Sequence, residues 1–184
     1  MSEKLDVVVI VGSLRKASYT RRLANALASV APASMQLEIV PIGDLPLYNE
    51  DVEADPPAAW RAFRERVARC DAVMFATPEY NRSVPGGLKN AIDVGSRPFG
   101  KSVWDRKPAA IVSASPGAIG AFGSNHHLRQ SLVFLNMPTL QQPEAYIGGV
   151  DKLLDANDAF VSDGTKKFCA GIMTAFEAWI RRNR

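Results

Sequence analysis

The sequence predicts an α/β fold in which a doubly wound, parallel sheet of five strands carries helices on both faces. Short apolar runs alternate with longer amphipathic segments along the whole chain. Residues 6–11 and 72–77 are apolar at almost every position, as strands are when both faces of a sheet are covered. Such alternation is typical of parallel strands joined by right-handed crossovers. Ligands of these sheets bind beyond the carboxyl ends of the strands, so the loops there are candidates for function.

The first half of the chain contains three of the strands and two helices. Residues 6–11 form the first strand, and a helix follows over 19–30, where apolar residues recur at helical spacing. The second strand, residues 36–41, alternates weakly between apolar and polar positions. The second helix, residues 56–67, opens on two prolines, which the first turn of a helix tolerates. Residues 72–77 form the third strand, a continuous buried run.

The second half continues the same alternation. Residues 85–92 form a helix that again opens on a proline, and residues 108–114 form the fourth strand. Residues 125–135 form the next helix, and a fifth strand is expected within 139–147. The long amphipathic segment 163–182 closes the chain as a helix.

The composition indicates one domain spanning residues 1–184. Of the 184 residues 47% are apolar and 22% are charged, and the net charge is +3. Disordered chains have fewer apolar residues and a larger net charge. No apolar run approaches the roughly 20 residues that cross a bilayer, and the first residues lead into a strand without signal-peptide flanks. We therefore expect a cytoplasmic protein without membrane association.

Neither nucleic-acid binding nor a metal site is indicated. Cations are interspersed with acids except at residues 181–184, where arginines suit the negative end of the last helix dipole. Cys70 and Cys169 lie far apart in sequence without metal-ligand spacing, which fits a reducing compartment. His126 and His127 are adjacent and so do not share a helix face.

Residues 12–20, between the first strand and the first helix, predict a phosphate site. The start of a helix offers unpaired N–H groups and the positive end of the helix dipole. Ser13, Ser18 and Thr20 add hydroxyl groups, and Arg15 adds a planar cation that can bind two phosphate oxygens. The alternative is that Ser18 only caps the helix, which accounts for one of these side chains. The segment lacks the Walker and dinucleotide-binding motifs, which indicates a single phosphate, as in a mononucleotide.

Two further loops at the same sheet edge suit a flat heterocycle. Residues 77–87 offer the aromatic Tyr80, the amide Asn81 and a turn between two prolines. The alternative is a tight connection in which Tyr80 packs on the surface. Residues 113–123 contain glycines that let the backbone approach a planar ligand. With the first loop, these segments predict one ligand site at the carboxyl edge of the sheet.

Five segments of the chain resemble the NADPH-dependent FMN reductase family, in particular its bacterial chromate and quinone reductase branch. They read GSLRKxS at 12–18, PEYNxSxP at 78–85, LKNAID at 88–93, SPGxIG at 115–120 and HLRQxLVFL at 127–135. The resemblance implies a flavodoxin-like fold, bound FMN, NADPH or NADH as electron donor, and a homodimer or homotetramer. The acceptors that it implies are small oxidants, namely quinones and metal oxyanions such as chromate.

The resemblance also assigns cofactor contacts by position. The sequence departs from the family pattern at two places. The family commonly has Asn at the position of Thr20, and residues 122–126 differ from those of relatives. The implied contacts are Ser13, Arg15, Ser18 and Thr20 to the phosphate; Glu79, Tyr80 and Asn81 to the isoalloxazine, largely through backbone; Ser115 and Gly117 to its other side; with Tyr19 and Pro78 completing the cofactor-binding set.

In such an enzyme the flavin carries the hydride, so neither a catalytic side chain nor a metal is expected. The apolar helix 125–135 is expected to contribute to a subunit interface, with Arg129 pairing across it. The alternatives are a reductase that releases reduced FMN to a monooxygenase, a non-enzymatic flavodoxin-type electron carrier, and a regulatory nucleotide-binding module. The carrier is disfavoured, since flavodoxins of that kind are acidic and use a threonine-rich phosphate loop, whereas this chain is basic and has Arg15 there.

Overall fold

The computed structural model describes residues 4–184, whose strands form a five-stranded parallel sheet. The strands are β1 (Leu5–Val11), β2 (Met35–Ile39), β3 (Ala72–Thr77), β4 (Ala109–Ala114) and β5 (Ala145–Ile147). The strand order, β2-β1-β3-β4-β5, is that of the flavodoxin-like doubly wound fold. The predicted fold class is confirmed.

Helices cover both faces of the sheet, and the pleat of β1 shows how the core divides. Val7 and Val9 point to one face and join the cluster with α1 and α5, whereas Val8 and Ile10 point to the other and join the cluster with α2, α3 and α4. All four side chains are almost fully buried. The helices are α1 (Tyr19–Ser29), α2 (Ala58–Arg69), α3 (Gly86–Gly95), α4 (Phe122–Phe134) and α5 (Asp163–Asn183).

Two elements differ from the sequence prediction. The fifth strand covers only Ala145–Ile147 of the expected 139–147, with an isolated bridge between Thr139 and Ala109 before it. Pro143 lies between these pairings and has no N–H to donate to a ladder. Helix α4 begins at Phe122, three residues before the expected start, because its first turn receives a cap from a distant loop, as described below.

The crossovers place the loops after β1, β3 and β4 side by side, since these strands are neighbours and run in the same direction. The N-termini of α1, α3 and α4 therefore lie at the same edge of the sheet. Over residues 4–184, no helix is long and apolar enough to cross a membrane.

Candidate functional site

The three loops at the carboxyl edge of the sheet enclose a cavity of about 140 Å³. Its walls come from the β1–α1, β3–α3 and β4–α4 connections. The last of these includes Pro116, and Ala114 at the end of β4 also lines the cavity. The structure thus brings together all but Asn81 and Gly117 of the residues predicted to bind the cofactor. Those lining the cavity are Ser13, Arg15, Ser18, Tyr19, Thr20, Pro78, Glu79, Tyr80 and Ser115.

Helix α1 points its N-terminus into this cavity with unused donors. Ser18 is the N-cap, and its Oγ accepts a hydrogen bond from the backbone N–H of Arg21 at 3.2 Å. The backbone N–H groups of Tyr19 and Thr20 have no acceptor among residues 4–184. Unpaired N–H groups at a helix start, with the positive end of its dipole, form an anion-binding site.

The side chains around this helix start add further donors. Thr20 is 2% exposed, yet its hydroxyl has no hydrogen-bond partner in the described part of the chain. Ser13 is buried beside it, and its Oγ accepts from the Arg15 backbone N–H at 3.4 Å, which leaves the hydroxyl proton free to donate. The hydroxyl of Ser18 can likewise donate while it caps the helix, so capping and phosphate binding are compatible.

Arg15 supplies the cation of this loop. Its side chain is exposed and lines the cavity, and it forms no ion pair within residues 4–184. A guanidinium on the rim of a cavity that contains free N–H and O–H donors can bind a phosphate through two parallel hydrogen bonds. The donor set therefore fits a phosphate monoester.

The second loop is a two-residue hairpin. The backbones of Tyr80 and Ser83 exchange hydrogen bonds of 3.1 and 3.0 Å, and the residues between them, Asn81 and Arg82, have φ values of 51° and 65°. Two consecutive left-handed residues define a type I′ turn. Asn81 thus lies in the turn, outside the cavity wall. Tyr80 lies half-exposed on the wall, so the tight connection also presents this side chain to the cavity.

Glu79 joins the second loop to the third. Its Oε2 accepts a hydrogen bond from the Ser124 backbone N–H at 3.1 Å, in the first turn of α4. A Cβ on Gly123 would lie 2.9 Å from the same oxygen and 3.0 Å from the Arg82 carbonyl oxygen, so a larger residue there would crowd this approach. Because Ala121, the N-cap of α4, offers no side-chain acceptor, the carboxylate caps the helix from a distant loop. No local sequence pattern pointed to this contact, because its two residues lie 45 positions apart.

The third loop is fixed to the end of β5. The Ser115 backbone N–H donates to the Ile147 carbonyl at 3.1 Å, and its Oγ donates to the Gly117 carbonyl at 3.0 Å. Gly120 has a φ of +62°, and a Cβ there would lie 2.5 Å from the carbonyl carbon of Tyr146. Ser115 thus lies on the cavity wall, whereas Gly117 lies outside it and accepts the hydrogen bond from the Ser115 hydroxyl.

A network of hydrogen-bonded side chains beneath the third loop was not predicted from the sequence. Ser113 Oγ donates to the Gly120 carbonyl at 2.8 Å and accepts from Asn125 Nδ2 at 3.2 Å. The Asn125 Oδ1 accepts from Arg129 Nε at 3.0 Å, and Arg129 Nη1 donates to the Leu140 carbonyl at 3.1 Å. Arg129 is thus bonded within its own chain, and these contacts give no support to the expectation that it pairs across an interface.

The two thiols are not nucleophiles in this site. Burial raises the pKa of Cys169 to about 11, and burial also raises the pKa of Cys70. Both are buried in the core away from the cavity and are protonated at neutral pH. Within residues 4–184, His, Cys, Asp and Glu form no group that could hold a metal ion.

Comparisons with known proteins agree with this architecture. The chain is 60% identical to a quinone reductase from Pseudomonas putida over 185 aligned positions, which cover 100% of this chain and 99% of the relative. It is 46% identical to a 2-hydroxy-1,4-benzoquinone reductase from a Burkholderia species, with 98% of each chain covered. The solved structure of FerB, a flavoenzyme NAD(P)H:(acceptor) oxidoreductase from Paracoccus denitrificans, superposes with a TM-score of 0.93 at 40% identity and covers 97% of this chain and 98% of its own.

The sequence model of one family matches residues 5–152, which include all five strands and all three loops of the site. The match extends over most of the chain, and the predicted family is confirmed. This chain belongs to the NADPH-dependent FMN reductase family.

Proposed function

We propose that this chain is an FMN-dependent NAD(P)H:quinone oxidoreductase. The observation that carries the proposal is the cavity at the N-terminus of α1, where backbone N–H groups, the free Thr20 hydroxyl and Arg15 are available to one phosphate group. The family supplies the flavin and the nicotinamide donor. Quinones are the acceptors favoured by the names of the relatives at 60% and 46% identity.

Each wall of the cavity has a part in binding FMN. Ser13, Arg15, Ser18 and Thr20 hold the phosphate, and the hairpin with Tyr80 borders the isoalloxazine. FMN held by these residues would supply the hydride chemistry between NAD(P)H and the acceptor. The cofactor-binding set is Ser13, Arg15, Ser18, Tyr19, Thr20, Pro78, Glu79, Tyr80, Asn81, Ser115 and Gly117.

The side chains of the site bind and orient rather than react. Glu79 keeps the second loop against α4, and the chain from Ser113 to Arg129 supports the third loop. Both loops therefore rest on elements of the fold and present a preformed surface to the isoalloxazine. No residue of the cavity is assigned as a catalytic acid or base.

The whole chain acts as one FMN-binding domain in this proposal. Residues beyond the family match include α5, which contributes Cys169, Ile172, Met173 and Phe176 to the same buried cluster as β1. We propose a homodimer or homotetramer, because Phe99 and Phe134 are 90% and 89% exposed, more than isolated subunits favour for large apolar side chains.

Other parts of the proposal concern partners and compartment. Chromate and related metal oxyanions are proposed as further acceptors. Nucleic acid is not proposed as a partner, since Arg181 pairs with Glu177 and Arg184 with Asp71 at the basic end of the chain. A membrane is not proposed as a partner either. The cytoplasm is proposed as the compartment because both cysteines are free thiols.

Stopped-flow spectrophotometry of the purified protein tests the function. We expect flavin absorbance that is bleached by NADPH or NADH and restored by 1,4-benzoquinone, with chromate tested in parallel. Protein without flavin absorbance would favour a regulatory module, and flavin that NAD(P)H does not reduce would favour an electron carrier. Reduced FMN recovered in the filtrate after ultrafiltration would favour supply to a monooxygenase.

A further inference from the structure

Three aromatic side chains form a cluster on the surface next to the third loop. The ring centroids of Phe122 and His126 are 4.2 Å apart, those of Phe122 and Tyr146 are 5.1 Å apart, and the rings of His126 and Tyr146 stack at 5.8 Å. His126 Nε2 and the Tyr146 hydroxyl share a hydrogen bond of 2.9 Å. We call these three residues the aromatic cluster.

The aromatic cluster adjoins the wall of the cofactor cavity. Tyr146 precedes Ile147, whose carbonyl accepts from the backbone N–H of Ser115 on the cavity wall. Phe122 begins α4, the helix whose first turn is capped by Glu79 of the same wall. Both supports of the cluster are therefore attached to residues that line the cavity.

The aromatic cluster also differs from the aromatic pairs of the core. The rings of Phe63 and Phe75 each contact the ring of Trp104 in the interior. Phe122 is instead 46% exposed and His126 is exposed, so their contacts leave aromatic surface open to solvent. Aromatic rings present a flat apolar face, and His and Tyr add polar atoms at its edge.

The His126–Tyr146 pair keeps one proton to donate when the histidine proton is on Nδ1, because the Tyr146 hydroxyl then donates to Nε2 and the Nδ1–H stays available. A neutral imidazole and a phenol carry one N–H and one O–H, and their mutual hydrogen bond uses one of these. Burial raises the pKa of Tyr146, with Glu144 contributing in the same direction and Arg129 opposing it, so the phenol stays protonated at neutral pH. A flat apolar surface with one free donor complements a quinone, which has a flat ring and carbonyl acceptors.

We propose that the aromatic cluster binds the quinone acceptor, with Phe122 and His126 contacting its ring and the His126–Tyr146 pair donating a hydrogen bond to its oxygen. The inference rests on the proposed function and extends it from the flavin to the acceptor. It assigns acceptor selectivity to Phe122, His126 and Tyr146.

Steady-state kinetics of the FMN-loaded enzyme at saturating NADPH test this assignment with two acceptors. 1,4-Naphthoquinone has an aromatic face and carbonyl oxygens, whereas ferricyanide has neither. We expect Phe122→Ala to raise the KM for naphthoquinone about tenfold with little change in kcat. Tyr146→Phe keeps the ring and should raise this KM about threefold. Both variants should keep the ferricyanide parameters within about twofold, on the same scale of contact energies.

Phe168→Ala is the matched control. Phe168 is 47% exposed, almost as Phe122 is, but it lies on α5, which covers the opposite face of the sheet. Its naphthoquinone KM should stay that of the wild type. Sedimentation of each variant checks whether the aromatic cluster is a subunit contact instead.

Four outcomes would overturn the assignment. The first is an unchanged KM for naphthoquinone in Phe122→Ala, and the second is an equal rise in its KM for ferricyanide. The third is a rise in the naphthoquinone KM of Phe168→Ala as large as that of Phe122→Ala. The fourth is a cluster variant whose oligomeric state changes while its naphthoquinone KM does not. The proposed quinone activity itself would be refuted by a different result in the wild-type enzyme. In that case NADPH would reduce the enzyme and ferricyanide would reoxidise it, but naphthoquinone would not reoxidise it. The inference would then fail with the proposed function.

Discussion

Two cavities lie at opposite edges of the sheet, and they differ more in chemistry than in size. The cavity at the carboxyl edge has a volume of about 140 Å³, and the one at the amino edge, where α3 and α4 end, about 480 Å³. At the larger cavity several polar side chains have partners in the fold. Asn136 Nδ2 donates to Asp105 Oδ1 at 2.8 Å, Ser96 Oγ donates to the Asp93 carbonyl at 2.8 Å, and the Arg97 guanidinium lies over the Tyr48 ring.

The smaller cavity has the reverse character. The N–H groups of Tyr19 and Thr20 and the hydroxyl of Thr20 have no partner within residues 4–184, and Arg15 has no ion pair there. A donor that faces a cavity without a partner in the fold is available to a ligand, whereas a paired donor is not. Unpaired donors on a cavity wall are therefore a better guide to a ligand site than cavity volume, and the following variants test that comparison.

The largest effect is expected from Arg15→Ala, which removes the cation from the smaller cavity. FMN binding should weaken by about 1.5–3 kcal/mol, the value of a charge-assisted hydrogen bond. Fluorescence titration of the apoprotein with FMN measures the dissociation constant. Arg97→Ala, the corresponding change at the larger cavity, is the control and should leave it unaltered. Equal losses in both variants would mean that overall positive charge, rather than the site, determines affinity.

The next effect concerns the contact that holds two walls of the smaller cavity together. Glu79→Ala removes the carboxylate that caps α4 and should lower the free energy of unfolding by about 1–2 kcal/mol. Urea unfolding of the apoprotein measures this loss without the cofactor. Asp105→Ala, which removes the Asn136 partner at the larger cavity, is the comparison and should cost less, because that pair is exposed. An unchanged stability for Glu79→Ala would show that water caps the helix equally well.

The sequence predicted the parts of this molecule that depend on local pattern. The apolar runs at 6–11 and 72–77 became buried strands because a β-branched or continuous apolar run has one favourable environment, the interior of a covered sheet. The phosphate site predicted at 12–20 came from hydroxyls, an arginine and a helix start occurring together, and the structure places these groups around one cavity. The family resemblance added the cofactor, which no residue pattern specifies by itself.

The remaining features depend on contacts between residues far apart in sequence. The Glu79 cap joins positions 45 residues apart, so the earlier start of α4 could not be seen from its own residues. The hydrogen bonds from Ser113 through Asn125 to Arg129 are formed only after β4 and α4 pack. The pairing of Arg129 across a subunit interface stays a prediction, since its bonds to Asn125 and Leu140 lie within one chain.

A smaller effect is expected from Thr20→Val, which removes one hydroxyl and keeps the shape of the side chain. Since this hydroxyl has no partner among the described residues, the apoprotein should be as stable as the wild type or slightly more so. FMN binding should weaken by about 0.5–1.5 kcal/mol if the hydroxyl donates to the phosphate. Thermal unfolding of apoprotein and FMN titration measure the two quantities. A loss of apoprotein stability with unchanged FMN affinity would assign the hydroxyl to the fold instead of the ligand.

The smallest effect on stability is expected at two arginines with a strained backbone, one at each edge of the sheet. Arg82 and Arg106 have φ values of 65° and 58°, a region that costs a non-glycine residue about 1–2 kcal/mol. Substitution by glycine removes this strain but makes the unfolded chain more flexible, so each variant should gain about 0.5 kcal/mol of stability.

Thermal unfolding and the KM for NADPH distinguish the two positions. Arg82→Gly creates the Asn-Gly pair that type I′ turns favour, and the hydrogen bonds between Tyr80 and Ser83 should persist. Equal stabilisation with an altered KM only in Arg82→Gly would show that strain at the carboxyl edge is retained for a cation beside the cofactor site. If neither variant changes the KM, the left-handed arginines at both edges serve only to close turns, and the contrast between the two edges rests on the unpaired donors alone.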